Sequence, residues 1–112
     1  MLFLGLEVDI KTTEIFEKSL AKLYKSDKLL LNTLEELVNK LQKDSYLGIS
    51  LGNSRYKIRV KNSSNNKGKS AGYRVITYTK IEDTILLVYI YSKSKTENVM
   101  EKKIDEIITN YH

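Results

Sequence analysis

The chain has 112 residues, a hydrophobic content of 41% and a formal net charge of +5. This length predicts one domain, residues 1–112, with a single core. The absence of cysteine excludes disulfides and thiolate metal sites and favours a reducing, cytoplasmic setting. The apolar opening, Met1–Leu6, is too short for a signal peptide or a membrane span, so no membrane partner is expected.

The first half of the chain predicts a strand followed by two helices. Leu2–Ile10 alternates as a strand does. From about Thr13 the period becomes helical, with threonine suited to the N-cap, and a second helix follows Ser26 and Asp27. Their short connection predicts an antiparallel helical hairpin. The apolar stripes are Phe16, Leu20, Leu23 and Tyr24 in the first helix, and Leu30, Leu34, Leu37, Val38 and Leu41 in the second.

The second half predicts three strands and a helix, after loop signals at Gly48, Gly52 and Asn53. Residues 62–71 form a polar loop without an apolar anchor, which we expect to be mobile. The last helix is predicted to begin near Ser94, where Ser94 and Glu97 have the spacing of a capping box. The element order is therefore β, α, α, β, β, β, α. The three strands are Arg55–Lys61, Gly72–Thr79 and the continuously apolar Thr84–Tyr91.

Positive charge is concentrated in one stretch. Ser45–Ile81 carries eight cations and no acid, so the net charge is +8 there and −3 elsewhere. Segregation of this kind indicates a phosphate-backbone partner, although a solvated basic face is the alternative. Alternation places the first four of these cations on one face of a strand. The eight are Arg55, Lys57, Arg59, Lys61, Lys67, Lys69, Arg74 and Lys80.

Other chemistries find little support in the residues. Gly68–Ser70 is similar to the end of a phosphate-binding loop, but Ser63 stands where that motif needs glycine. The sole histidine is terminal and the acids are scattered, so we expect no metal and no cofactor. Strand tyrosines beside cations suit single-stranded RNA, although packing is the alternative for each of them. These tyrosines are Tyr56, Tyr73, Tyr78, Tyr89 and Tyr91.

Three segments, taken together, resemble a known family. They are Tyr56–Asn62 (YKIRVKN), Gly68–Tyr78 (GKSAGYRVITY) and Ile85–Val99 (ILLVYIYSKSKTENV). In order and spacing they resemble the RelE/ParE toxin superfamily of bacterial toxin-antitoxin modules, in particular its RelE/HigB-like branch. The resemblance covers nearly the whole chain. It implies an α+β fold, with an antiparallel sheet packed against an N-terminal helical hairpin and a C-terminal helix. It also implies an mRNA endonuclease acting in the ribosomal A site, and a cognate antitoxin.

The resemblance also assigns site residues by position. Lys57 and Arg59 match the basic pair of the family's first central strand, and Arg74 matches the arginine of the strand after the glycine-rich loop. We expect the RNA contacts to come from these residues and their neighbours. The full predicted RNA-binding set is Arg55, Lys57, Arg59, Lys61, Lys67, Lys69, Tyr73 and Arg74.

The chain departs from the family after its last strand. Ser94 and Met100 stand where the family has an arginine and a tyrosine, and we expect Lys93 or Tyr91 to substitute for them. The predicted catalytic residues are therefore Lys57, Arg59, Arg74, Tyr91 and Lys93.

Metal-free cleavage of RNA requires the ribose 2′-hydroxyl to attack the adjacent phosphate. Lys57 is the candidate base, because neighbouring guanidinium groups disfavour its charged form. Arg59 and Arg74 can hold the developing phosphate charge, and Tyr91 can protonate the leaving oxygen or stack on a base. Two alternatives stay open: a ParE-like gyrase inhibitor that is not an enzyme, and an RNA-binding homologue with weakened activity.

Overall fold

The computed structural model describes residues 8–62, 72–94, 99 and 101–111. A five-stranded sheet in the order β1-β5-β4-β3-β2 lies between helices on its two sides. The strands are β1 (Asp9–Thr12), β2 (Ile49–Gly52), β3 (Arg55–Val60), β4 (Tyr73–Tyr78) and β5 (Thr84–Ser92), and the helices are α1 (Glu14–Ser26), α2 (Leu30–Lys43) and α3 (Glu101–Thr109). None of the helices described is long and apolar enough to cross a membrane. The predicted α+β class is confirmed.

The helical hairpin forms as predicted, and Thr13 fixes its start. The Thr13 hydroxyl accepts a hydrogen bond from the Phe16 N–H at 2.9 Å and donates one to the Val88 carbonyl at 2.8 Å. The first bond caps α1, which is typically worth about 1 kcal/mol. The second ties the helix to the centre of the sheet. Of the predicted first strand, residues 2–7 lie outside the described residues, and β1 begins at Asp9.

The sheet differs from the predicted one in two details. β1 pairs with β5 in parallel, whereas the other neighbouring pairs are antiparallel, so the sheet is mixed. In addition, the residues predicted as loop before β3 form the short edge strand β2. Asn53 and Ser54, with φ of 53° and 64°, make a tight two-residue connection to β3. Two consecutive positive φ angles are typical of the turn that matches the twist of a hairpin.

The sheet is covered on both faces. Leu30, Leu34, Leu37 and Leu41 of α2 pack with Phe16 on the hairpin side, whereas Ile104 and Ile107 of α3 pack on the opposite side. This second side is called the α3 side below. β5 is buried along most of its length, as its continuous apolar run predicts.

A β-bulge interrupts the pairing of β4 with β5. Ile76 is paired with Tyr89, but Thr77 is paired with Leu87, which leaves Val88 as an extra residue. Both Val88 and Tyr89 pack on the α3 side as a result. Bulges of this kind re-aim the side chains next to them.

The last helix begins later than predicted. α3 starts at Glu101, whereas Ser94 lies in a turn directly after β5. Glu97, the other half of the predicted capping box, lies outside the described residues. Of the predicted mobile loop 62–71, residues 63–71 also lie outside them. Residues 93–98 contain no apolar side chain, so the sequence there lacks the apolar stripe by which a helix packs on a sheet.

Candidate nucleic-acid interface

Strand register brings together several of the predicted site residues on the α3 side. Arg59 of β3 is paired with Arg74 of β4, and Arg74 is paired with Tyr91 of β5. Directly paired side chains lie about 4.5–5.5 Å apart at Cβ. One row along, Lys57 is paired with Ile76, which is paired with Tyr89. We refer to Lys57, Arg59 and Arg74 as the cationic face.

Burial increases across this face from its edge to its centre. Arg59 is exposed and Lys57 is half-buried, whereas Arg74 is only 5% exposed. Arg74 Nη1 donates a hydrogen bond to the Tyr73 carbonyl at 3.1 Å. Two arginines paired directly across strands repel each other. An anion at this position would relieve the repulsion, and Arg59 is the member of the pair that it can reach first.

Tyr91 lies next to Arg74 and is 5% exposed. Burial raises the pKa of the Tyr91 phenol, although the Arg74 charge and a hydrogen bond from the Val99 backbone act in the opposite direction. Because the net shift is upward, the phenol stays protonated at neutral pH. It can therefore donate a proton but cannot act as a base there.

Arg55 differs from its predicted role on the basic face. It is 4% exposed, and it forms ion pairs with Glu101 at 2.8 Å and Asp105 at 3.0 Å. It also donates hydrogen bonds to the carbonyls of Leu51 and Gly52. These contacts neutralise its charge and use it to hold α3 on the sheet. Arg55 is therefore not open to an RNA phosphate in this arrangement.

Tyr73 also departs from its predicted contact with RNA. It lies in the core on the hairpin side, 3% exposed, and its hydroxyl donates a hydrogen bond to Asp27 Oδ2 at 2.9 Å. Burial, followed by the hydrogen bond and charge of Asp27, raises the Tyr73 pKa above the ordinary tyrosine value. The sheet separates this tyrosine from the cationic face, because residues that follow one another on a strand point to opposite sides.

Two further predicted cations, Lys61 and Lys93, lie at the ends of their strands, at the rim of the cationic face. Lys61 is exposed just after β3 and borders, with Arg59, a cleft of about 330 Å³ beside α2. Lys93 follows β5, is half-buried, and donates its backbone N–H to the Gly72 carbonyl at 2.9 Å. Lys67 and Lys69 lie outside the described residues.

The structure adds one cation that the charge pattern missed. Lys103 of α3 has its Nζ 4.6 Å from the centre of the Tyr89 ring and 3.3 Å from the Tyr89 hydroxyl. Little in the sequence indicates that Lys103 belongs to the site, because this residue lies outside the basic stretch and among acidic residues. Among the residues that the structure describes, no group of three or more histidine, cysteine or carboxylate side chains could hold a metal ion.

Comparison with known proteins places the chain in a family. No curated protein sequence matches it significantly. The family model described as the RelE toxin of the RelE / RelB toxin-antitoxin system matches residues 11–110. This range runs from β1 to the end of α3 and includes the whole cationic face. The chain therefore belongs to the RelE toxin family and is the toxin of a toxin-antitoxin system, with an antitoxin as its implied partner.

Proposed function

We propose that this toxin is a metal-independent mRNA endoribonuclease of the RelE/HigB-like branch that inhibits translation in the cytoplasm. One observation carries the proposal: Arg59, Arg74 and Tyr91 are paired in one row across three strands, and Lys57 lies in the next row. Cations and a proton donor are thus gathered where a single phosphate could meet them. The family match and the segregated charge support the same conclusion.

The chemistry follows from this row. Lys57 acts as the general base and takes the proton of the ribose 2′-hydroxyl, and the oxygen attacks the adjacent phosphorus. The bond from phosphorus to the 5′-oxygen breaks, and Tyr91 protonates that oxygen. The products are a 2′,3′-cyclic phosphate and a 5′-hydroxyl. Arg59 and Arg74 stabilise the charge that develops on the phosphate.

The surroundings of Lys57 differ from those expected from sequence. Arg55 is paired with two carboxylates, so Arg59 and Arg74 supply the positive environment of the Lys57 ammonium. Arg74 and Tyr91 are each 5% exposed. Their direct contact with a phosphate requires both side chains to become more accessible when RNA binds. The ribosomal A site, which the resemblance implies, is where we place this event.

The proposal can be tested by measuring whether the toxin cleaves mRNA on translating ribosomes. Purified toxin added to ribosomes paused on an mRNA should cut the transcript and leave cyclic phosphate ends. Arg59→Ala and Arg74→Ala should reduce cleavage, whereas Lys80→Ala, an exposed cation after β4, should not. Growth arrest with intact transcripts would refute the nuclease proposal. A DNA supercoiling assay would then separate a gyrase inhibitor from an inactive homologue.

The role of Lys57 can be tested separately. Lys57→Arg keeps a positive charge but cannot supply a neutral base, because a guanidinium stays protonated. We expect this variant to bind RNA as tightly as the wild type does and to lose cleavage by about 10²-fold or more. Normal cleavage by Lys57→Arg would exclude lysine as the base.

The antitoxin partner is also open to a direct test. We propose that the cognate antitoxin is small and acidic or amphipathic, because it must neutralise a cationic face of which Arg59 is exposed to solvent. Co-expression of the adjacent gene should restore growth, and the two proteins should co-purify. Failure of both results would argue against this assignment of the neighbouring gene.

A further inference from the structure

The structure distinguishes among the strand tyrosines. Tyr73 is buried on the hairpin side, and Tyr56 lies beside Tyr46 with ring centres 5.7 Å apart. Tyr91 is 5% exposed on the α3 side. Tyr89, by contrast, is partly exposed on the α3 side and lies in the same cross-strand row as Lys57. Tyr78 is also partly exposed on this side, but its row holds Arg55, which is paired with two acids. Tyr89 therefore combines a partly accessible ring with the row that contains Lys57.

We propose that Tyr89 is the platform on which a base of the bound RNA stacks, and that Lys103 of α3 provides a phosphate contact beside it. This inference rests on the proposed function, since it names the groups that hold the substrate. Two strand spacings, about 10 Å, separate the backbones at Lys57 and Tyr89. A base on Tyr89 and a phosphate at Lys57 or Arg59 can thus belong to the same short segment of RNA.

The Tyr91 ring packs against the Tyr89 ring and fixes its orientation. The centre of the Tyr89 ring lies 6.0 Å from that of Tyr91, and the two ring planes differ by 27°. The bulge at Val88 turns Tyr89 towards this side of the sheet. In the free protein Tyr91 is 5% exposed, so it supports the Tyr89 ring and sets its orientation before RNA arrives. A preorganised aromatic surface loses little side-chain freedom when a base stacks on it.

Lys103 occupies the place that a base would take. Its Nζ contacts the ring and the hydroxyl of Tyr89, and its side chain is exposed. A cation–π contact at an exposed site is worth about 2- to 5-fold in an equilibrium constant. Base stacking on an aromatic side chain is worth about 5- to 150-fold. A base should therefore displace Lys103 from the ring.

Displacement leaves the Lys103 ammonium free to meet a phosphate. Lys103 borders an open cleft of about 670 Å³ between α3 and the start of α1, so its side chain has room to move. The nearest acid on the same face of α3 is Glu106, one turn further along the helix, and it lines this cleft together with Lys103. Glu101 and Asp105 lie two positions from Lys103, on other faces of α3, and both are paired with Arg55. The charges of Glu101 and Asp105 are thus largely compensated, which leaves Glu106 as the nearby carboxylate that opposes an incoming phosphate.

A non-cleavable RNA tests the platform. The probe is a short single strand with 2′-O-methyl groups and one 2-aminopurine, whose fluorescence is quenched by stacking. Tyr89→Leu should abolish the quenching and weaken binding about 5- to 150-fold, whereas Tyr89→Phe should retain both. Tyr46→Leu is the matched control, because Tyr46 is 64% exposed on the hairpin side of the sheet, against Tyr56. Quenching that survives in Tyr89→Leu would overturn the assignment and leave the proposed function intact.

The lysine is tested with a neighbouring control. Lys103→Gln should make the slope of log affinity against log salt shallower by about 0.7, while Lys102→Gln, the adjacent exposed lysine of α3, should leave it unchanged. Equal slopes for both variants would remove Lys103 from the site. Failure of the wild-type toxin to bind RNA, alone and with ribosomes, would instead overturn the proposed function, and this inference with it.

Discussion

Arg55 and Arg59 lie four residues apart on one face of β3, yet their surroundings are opposite. Arg55 is 4% exposed, and its guanidinium contacts two backbone carbonyls and two carboxylates. Arg59 is exposed. A buried guanidinium is tolerated only when its donors are paired, since an unpaired charge in the interior is costly. The two arginines therefore serve different ends: one stabilises the fold and the other remains open to a ligand.

This contrast predicts different costs for the same substitution. Arg55→Met should destabilise the protein by about 1–3 kcal/mol, because it removes the two ion pairs that hold α3 against β3 and the hydrogen bonds to the carbonyls of Leu51 and Gly52. Arg59→Met should change stability by no more than about 0.5 kcal/mol, as is usual at exposed positions. Urea unfolding of the two variants measures the difference. Equal destabilisation would show that Arg55 does not anchor α3.

At the scale of elements, alternation and periodicity predicted most of the fold. The leucine stripe of α2 and the apolar run of β5 each carry a strong period, so the hairpin and the central strand followed from sequence. β2 was not predicted from sequence. It has only four residues and lies beside glycines, so it resembles a loop unless its pairing with β3 is known. The ion pairs of Arg55 were also beyond prediction, since they join residues 46 and 50 positions apart.

The site was predicted to a similar extent. Strand alternation placed Lys57 and Arg59 on one face, but it could not show that Arg74 is buried. An arginine flanked by apolar residues on a central strand is covered by whatever packs on the sheet, and that is a tertiary property. Arg74→Ala is consequently expected to affect both stability and cleavage, which makes Arg59→Ala the cleaner test of charge.

Two glycines flank the edge strand β2: Gly48 directly precedes the strand, and Gly52 ends it. Gly48 and Gly52 have φ of 99° and 83°, so alanine is strained at either position. A Cβ at Gly48 would also lie 2.5 Å from the Lys57 carbonyl oxygen, whereas a Cβ at Gly52 has nothing within 4 Å. Gly52→Ala should cost about 1–2 kcal/mol, and Gly48→Ala should cost at least about 1 kcal/mol more. Thermal or urea unfolding measures both costs. Equal stability of the two variants would contradict the close approach of Gly48 to the Lys57 carbonyl.

The contact of Tyr73 with Asp27 links β4 to the turn between α1 and α2. The pKa of Tyr73 is higher in the folded protein than in the unfolded chain, so folding favours the neutral form of the phenol. Its contribution to stability is complete below the ordinary tyrosine pKa of about 10 and is lost as the pH rises above that value. Tyr73→Phe should lower stability at neutral pH and weaken the loss of stability above pH of about 10.

Unfolding measured from neutral to alkaline pH tests this pair. Tyr91 also has a raised pKa, so part of the alkaline loss should persist in Tyr73→Phe. An unchanged alkaline profile would mean that Tyr73 is not the group responsible. Tyr46→Phe, at an exposed position, is the control for loss of a phenol without a buried partner.

For the whole molecule, the two sides of the sheet have distinct roles. The hairpin side holds the larger apolar core, whereas the α3 side combines a smaller core with the cationic face. Charge segregation in the sequence thus becomes segregation in space. The ion pairs of Arg55 increase this separation of charge, because they hold two acids of α3 near Arg55, at the opposite end of β3 from Arg59.

The number of cations that contact RNA can be counted from the salt dependence of binding. Each phosphate contact on a single strand contributes about −0.7 to the slope of log affinity against log salt. If the four cations Lys57, Arg59, Lys61 and Arg74 and the proposed contact Lys103 each meet a phosphate, this slope should be about −3.5. Arg59→Gln and Lys61→Gln should each reduce the slope by about one such step. Lys80→Gln, outside the cationic face, should leave it unchanged. A steep slope that all three substitutions lower equally would indicate a diffuse field around the molecule, and a flat slope would remove RNA binding as the explanation of the basic stretch.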